Sequence, residues 1–236
     1  MEYYMNGKII NLPTEEEPFG KGSEGKVYKK GKYAYKIYYP EMLNENHGNK
    51  EFFHNYLLTI PTKQIILPDQ KIYTLDGEYI GYRTILIPGN KRKKTGITKL
   101  PIKTFIKNLE ILEEDFDTLS HHYVLAADVS PVNYIFNKNK SEMTIIDPGR
   151  YRHHCLTDSY KKLNDLQLES LIELLLYMDS IEYKTLNSKK KLIELRHFLK
   201  EEKRKKNCKY SEFFKEKEEQ YETAEEYMKS LKKYIK

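Results

Sequence analysis

Gly20-Lys21-Gly22-Ser23-Glu24-Gly25-Lys26-Val27, followed by Tyr33-Ala34-Tyr35-Lys36-Ile37, is the stretch on which the fold turns. Glycines at these positions let a hairpin backbone fold closely over phosphates, where a Cβ would clash. The Gly-x-Gly-x-x-Gly pattern also opens dinucleotide-binding helices, but a strand follows here, which argues against that version. Eleven residues past Gly25 stands Lys36, flanked by strand formers. It can point inward and hold phosphate oxygens as a point charge. Ala34 faces the same side, because strand side chains alternate, and is small enough to sit against a purine.

Outward from this stretch, the first third of the chain predicts strands. Lys26–Lys29, Tyr33–Tyr38, Lys71–Thr74 and Tyr79–Ile87 are β-branched and aromatic. Lys30-Gly31-Lys32 and Asp76-Gly77 are hairpin turns by type, because glycine supplies the positive φ they need. One helix is predicted from about Asn49 to Leu58, with Phe52 and Tyr56, together with Phe53 and Leu57, facing inward. After Pro88-Gly89 the period changes. Phe105, Ile106, Leu109, Leu112, Phe116 and Leu119 recur at helical spacing, as do Leu168 to Leu175 and Leu192 to Leu199. Tyr134-Ile-Phe and Met143-Thr-Ile-Ile predict a small hairpin between the first two of these helices. The expectation is an α+β protein of two lobes, strand-rich over residues 1–87 and helix-rich over residues 88–236.

The second part carries Asp128-Val129-Ser130-Pro131-Val132-Asn133 and, fourteen residues after Asn133, Asp147-Pro148-Gly149. Phosphoryl transfer needs a carboxylate to orient the attacking hydroxyl and oxygen ligands to fix a metal between phosphates. Asp128 suits the first role, and Asn133 and Asp147 the second. Asp147 ends the apolar strand Thr144-Ile-Ile and would project from a rigid edge.

In order and spacing these residues resemble the protein-kinase superfamily: glycine-rich loop, strand lysine, helix glutamate, hinge, Asp-x-x-x-x-Asn, then Asp-x-Gly. The resemblance runs from Gly20 to Leu176 and implies a bilobal fold that binds ATP with Mg²⁺, or Mn²⁺ in its place. It implies that the glycine-rich segment, with Gly20, Gly22, Gly25 and Val27, covers the nucleotide. Glu51 would be the helix glutamate that pairs with Lys36, with Glu41 and Glu45 as alternatives. Gly81 to Gly89 looks like the last strand of the first lobe running into the hinge. Thr84 would be the gatekeeper, and the Ile85 carbonyl and Ile87 amide would face adenine, in a register that can slip by one residue. Asp165 resembles the helix aspartate that supports the catalytic loop, and reads equally well as a helix N-terminal residue. The implied activity is that of a Ser/Thr protein kinase transferring the γ-phosphate of ATP to a hydroxyl.

Four departures from that pattern bear on the reading. Ala126-Ala127 replaces the His-Arg before the catalytic aspartate, so no phosphorylated activation loop is expected to be received there. Pro148 replaces the phenylalanine of Asp-Phe-Gly. Ser130 stands where a phosphate-binding lysine is usual, as it does in Rio-type kinases, and Arg150 is a candidate for the missing charge. Only seventeen residues separate Asp147 from Asp165, which argues against conventional peptide docking. A small-molecule kinase of the same superfamily and a nucleotide-binding pseudokinase are the alternatives.

Composition narrows the classes further. The chain has 236 residues, two cysteines and a net charge of +6, so neither a disulfide framework nor a thiolate zinc cluster is expected. No run approaches a membrane helix, the first residues lack the build of a signal peptide, and the chain reads as cytoplasmic. His121-His122 and His153-His154-Cys155 read as solvated or structural residues. Lys91-Arg92-Lys93-Lys94 reads as a solvated loop. The tail from Ser188 mixes Lys and Glu at helical spacing, which favours helices with wet faces over a nucleic-acid arm.

Overall fold

The computed structural model describes residues 1–43, 49–88, 90–91, 97–137, 140–153, 159–179 and 186–231. The first part is built on strands β1 (Glu2–Met5), β2 (Lys8–Asn11), β3 (Gly20–Lys21), β4 (Gly25–Lys30) and β5 (Tyr33–Tyr38). After helix α1 (Lys50–Leu57) come β6 (Gln70–Tyr73) and β7 (Tyr79–Ile85). These strands form one seven-stranded sheet in the order β2-β1-β6-β7-β5-β4-β3, and its pairings are antiparallel. The predicted turns hold, with Gly31 at φ 58° and Gly77 at φ 87°. The β1–β2 hairpin adds to the predicted strands; its turn is Asn6-Gly7, both at positive φ, the pairing a two-residue hairpin favours.

The second part starts with β8 (Asn90–Lys91) and the long helix α2 (Ile102–His121). Then come the short strands β9 (Val124–Leu125), β10 (Tyr134–Asn137), β11 (Glu142–Ile145) and β12 (Arg152–His153). Helices α3 (Tyr160–Asp179), α4 (Leu186–Lys206), α5 (Tyr210–Lys215) and α6 (Ala224–Leu231) follow. The predicted hairpin is present, with Tyr134 opposite Ile145 and Asn137 opposite Glu142. None of the described helices is long and apolar enough to cross a membrane.

Two buried clusters underlie these parts. A small one, Met5, Leu12, Tyr28, Tyr35 and Ile72, lies on one face of the sheet. A much larger one joins α2 to α6 with β9, β10 and β11, and also takes in Leu57, Ile60 and Ile65 from the end of α1 and the segment after it. Each fully buried Leu, Ile or Phe contributes roughly 1.5–3 kcal/mol, so the helical side carries most of the apolar stabilisation. The C-terminal helices belong to it through Leu195, Leu199, Tyr210, Phe213, Phe214 and Tyr227.

Helix α1 is tied at both ends. The Asn49 side chain caps it by accepting from the Phe52 amide at 2.8 Å. Beyond its C-terminus, Asp115 of α2 accepts the backbone amides of Lys63, Gln64 and Ile65 at 2.6–2.8 Å. The inward face of α1 differs from expectation. His54 and Leu57 are buried while Phe52 is 73% exposed, because the sheet side is filled by tyrosines that pair with an imidazole rather than with another phenyl ring.

Candidate functional site

The sheet places its polar groups by register. Val27 lies opposite Lys36, while Ala34 lies opposite Thr84 and Lys36 opposite Tyr82. Cross-strand partners present their side chains to the same face, so these residues share one floor. Above that floor is a cavity of about 380 Å³. Gly20, Val27, Ala34, Lys36, Thr84, Ile85 and Ile87 line it from the sheet side. Ile135, Ile146, Asp147 and Pro148 line it from the other.

Gly22 and Gly25 are not part of that lining. A Cβ on Gly25 would overlap the Ile37 carbonyl, so this glycine answers to the close approach of β4 and β5. At Gly20 and Gly22 a Cβ would meet nothing nearer than 4.0 Å, so the protein leaves open space there.

At the inner end of the cavity the two parts of the chain meet through charge. Lys36 Nζ donates to Asp147 Oδ1 at 2.5 Å and to Glu24 Oε2 at 2.9 Å. Lys50 Nζ donates to Glu24 Oε1 and to the Gly149 carbonyl, both at 3.0 Å. The Tyr82 hydroxyl donates to Asp147 Oδ1 at 3.1 Å. Asp147 sits in the left-handed region, at φ 65° and ψ 69°, a conformation that costs a non-glycine residue about 1 kcal/mol. Burial alone would push its carboxyl up, but the Lys36 ammonium and the hydrogen bonds from Lys36 and Tyr82 outweigh it and hold it below the usual value. Glu24 is held low in the same way: burial opposes, and Lys36 and then Lys50 prevail.

This arrangement corrects the assignment of Glu51. Its carboxylate accepts from Lys71 Nζ at 3.0 Å and from the Tyr73 hydroxyl at 2.9 Å, on the β6 side of α1. Neighbours on an α-helix point about 100° apart, so with Lys50 aimed at Glu24 and Gly149 Glu51 is turned away from them. Glu41 is exposed in a short 3₁₀ turn, and Glu45 lies outside the described residues. The carboxylate beside Lys36 is Glu24, a variable position of the glycine-rich pattern, which is why sequence reasoning passed over it.

The loop groups converge next to the same place. Asn133 Nδ2 donates to the Asp128 carbonyl at 3.1 Å and to Asp128 Oδ2 at 2.9 Å. The Ile146 amide donates to the Asn133 carbonyl at 2.8 Å, which sets Asn133 beside Asp147. With both contacts made through its nitrogen, Asn133 presents Oδ1 as its acceptor end. Arg150 Nη2 donates to Ser23 Oγ at 2.9 Å and its Nε lies 4.0 Å from Asp128 Oδ2. Arg150 thus bridges the glycine-rich hairpin and Asp128.

Asp165 does not brace this loop. It is largely exposed, with Oδ1 at 3.3 Å from Lys203 Nζ. Gln167 does so instead: its Oε1 accepts from the Ala126 amide at 2.9 Å and its Nε2 donates to Ser120 Oγ at 2.8 Å. Two residues along a helix turn a side chain by about 200°, so Asp165 and Gln167 occupy opposite faces of α3. The apolar spacing of α3 carried that information, since Gln167 precedes the buried Leu168 and lies one turn before Leu171.

Behind the ion cluster lies a polar aromatic group. His54 Nε2 is 3.3 Å from the Tyr38 hydroxyl, and Nδ1 hydrogen-bonds the Tyr79 hydroxyl. Burial, and then the charges of Lys50 and Lys36, lower its pKa to about 3. The His153 ring meets those of Tyr56 and Tyr123, while His154, Cys155 and residues 92–94 lie outside the described residues. No protein-family model matches this chain, and a search of curated proteins returned no match.

Proposed function

We propose that the protein is an ATP-dependent phosphotransferase with a bilobal, protein-kinase-like arrangement, residues 1–87 forming one lobe and residues 88–236 the other. One observation carries the reading: Lys36 and Asp147, 111 residues apart in sequence, meet at the inner end of a cavity that both parts of the chain line. A cavity of about 380 Å³ falls in the range of small-ligand sites. Val27 and Ala34 offer an apolar surface for a purine, and the backbone from Ile85 to Ile87 offers its polar edge. Lys36 then holds phosphate oxygens, releasing one of its carboxylate contacts to do so.

Asp147 and Asn133 Oδ1 are hard oxygen donors, the kind that suits Mg²⁺, and the two residues are linked through the Ile146–Asn133 hydrogen bond. The donor set therefore fits the metal the family resemblance implies. When bound, Mg²⁺ would neutralise charge on the phosphates. Asp128 orients the acceptor hydroxyl and takes up its proton at the carboxylate. Asn133 fixes the rotamer of Asp128, and Gln167 fixes the backbone before it. Arg150 supplies positive charge beside Asp128, where Ser130 leaves none.

A protein Ser or Thr hydroxyl is the acceptor we favour. The short connection between Asp147 and α3 favours a small-molecule hydroxyl as the second reading. A screen of protein and small-molecule acceptors with γ-labelled Mg-ATP, wild type beside Asp147→Asn, tests both. Label transfer by the wild type should fall in the variant by about 10²–10³-fold, the loss expected when a group that stabilises transition-state charge is removed. Nucleotide binding with no transfer would identify a pseudokinase, and equal transfer by both proteins would remove Asp147 from its role.

A further inference from the structure

We infer that Glu24 is the positioning residue for Lys36, so that the hairpin covering the cavity and the orientation of the lysine form one device. The inference rests on the phosphotransferase reading and names how that site is set. Its basis is geometric. Glu24 is 6% exposed, and its two carboxylate oxygens are divided between Lys36 and Lys50.

The backbone leaves the side chain little freedom. The Glu24 carbonyl accepts from the Tyr39 amide at 2.9 Å, and the Gly22 amide donates to the Gly25 carbonyl at 3.0 Å, closing the hairpin. Gly25 is pressed against Ile37 with no room for a Cβ. Lys50 carries the restraint further by donating to the Gly149 carbonyl. One carboxylate thereby links the hairpin, β5, α1 and the turn after Asp147. Gly149 belongs to the same device, because a Cβ there would overlap Glu24 Oε2.

The charges explain why the link persists when substrate arrives. Lys36 and Lys50 balance Glu24 and Asp147. If Asp147 and Lys36 turn towards metal and phosphate, Glu24 still faces two ammonium groups, and removing it would leave both lysines unbalanced in a buried place. A lysine is a flexible stem with three rotatable donors, so Lys36 needs a fixed acceptor to aim at one phosphate position. Glu51 cannot supply it, being engaged by Lys71 and Tyr73.

The test compares Glu24→Gln, Glu24→Asp and Glu51→Gln for kcat and KM with Mg-ATP, together with acylation of Lys36 by a water-soluble reagent without nucleotide. Glu24→Gln should lower kcat by about 100-fold, the loss that accompanies a small misplacement of a reacting group. Glu24→Asp, which keeps the charge, should recover part of it, and Glu51→Gln should behave as wild type. Lys36 should be acylated faster in Glu24→Gln and at the wild-type rate in Glu51→Gln. Overturning results are a Glu24→Gln variant with wild-type kcat, one that binds ATP more tightly and turns over faster (Glu24 would then be a plug), or acylation unaffected by either change. A wild type that turns over no ATP while the acylation response persists would remove the phosphotransferase reading and leave the Glu24–Lys36 pairing in place.

Discussion

The sheet and the helical region bring polar groups to the same cavity by opposite means. On the sheet, position follows from backbone pairing: Lys36 is where it is because β5 pairs with β4 on one side and β7 on the other. Little apolar packing is involved, since the cluster under the sheet is small and three of its five buried residues are tyrosine or methionine. In the helical region the chemical residues sit on loops, and buried polar side chains hold those loops. Gln167 holds Ala126, Asp115 holds residues 63–65, and Asn108 Oδ1 accepts from the Met143 amide at 2.8 Å. A ladder tolerates changes of side chain and fails when backbones are pushed apart. A braced loop tolerates backbone detail and fails when one side chain is lost.

Three changes should separate these behaviours. The largest effect is expected at Gly81, where a Cβ would overlap the Lys36 carbonyl. Gly81→Ala should cost about 3 kcal/mol, the upper part of the range for forced overpacking, read by urea unfolding. Gly20→Ala is the control, because its Cβ would meet nothing nearer than 4.0 Å, and its stability should match wild type. Equal stability of the two variants would mean that strand spacing does not govern the sheet.

Next comes Gln167→Leu, which leaves the buried Ala126 amide without its acceptor. An unsatisfied buried group of this kind costs about 2 kcal/mol. On the phosphotransferase reading, kcat should fall while KM for ATP stays near wild type, since the nucleotide cavity is lined elsewhere. A rise in KM with kcat unchanged would place Gln167 outside the brace.

The smallest and most gradual effect concerns His54, which packs α1 against the tyrosines of the sheet. Its folded pKa of about 3 lies below the ordinary value of about 6.5, so between those values the unfolded chain binds more protons. Stability therefore rises with pH across that window and is lost as pH falls through it, by up to about 1.4 kcal/mol per pH unit. His54→Gln keeps hydrogen-bonding ends towards Tyr38 and Tyr79 and does not titrate, so unfolding measured at pH 7 and pH 5 should lose most of this slope. An unchanged slope would assign the effect to other groups. The lowered carboxyls of Glu24 and Asp147 act in a separate, more acid window: their contribution is complete above the usual carboxylate range and is lost as pH falls through their lowered values.

Local pattern was enough for the longer elements, though it passed over the β1–β2 hairpin. The alternation of Tyr33 to Tyr38 marked β5, the spacing from Phe105 to Leu119 marked α2, and glycines marked two of the sheet's turns. Strand alternation placed Ala34 on the face of Lys36, while Gly20, Val27, Thr84, Ile85 and Ile87, which also line the cavity, followed from the family resemblance. The partners of the charged groups followed no such rule. Glu51 rather than Glu24 and Asp165 rather than Gln167 followed from the family resemblance, and Phe52 rather than His54 from the apolar spacing of α1. Asp165 and Phe52 lie within two residues of the group that is used, whereas the acid used in place of Glu51 lies on a hairpin instead of a helix.

What the amino-acid order determined by itself was periodic: the longer strands and helices, the apolar face of α2, and that Lys36, Asp128, Asn133 and Asp147 stand at intervals suited to one site. Only the tertiary structure decided which acid faces which base. Ion pairing depends on the rotation of α1, the root of a hairpin and the turn at Asp147 all at once. Those three are set by packing between segments as far as 127 residues apart, as in the contact of Arg150 with Ser23, and no local spacing encodes such a distance.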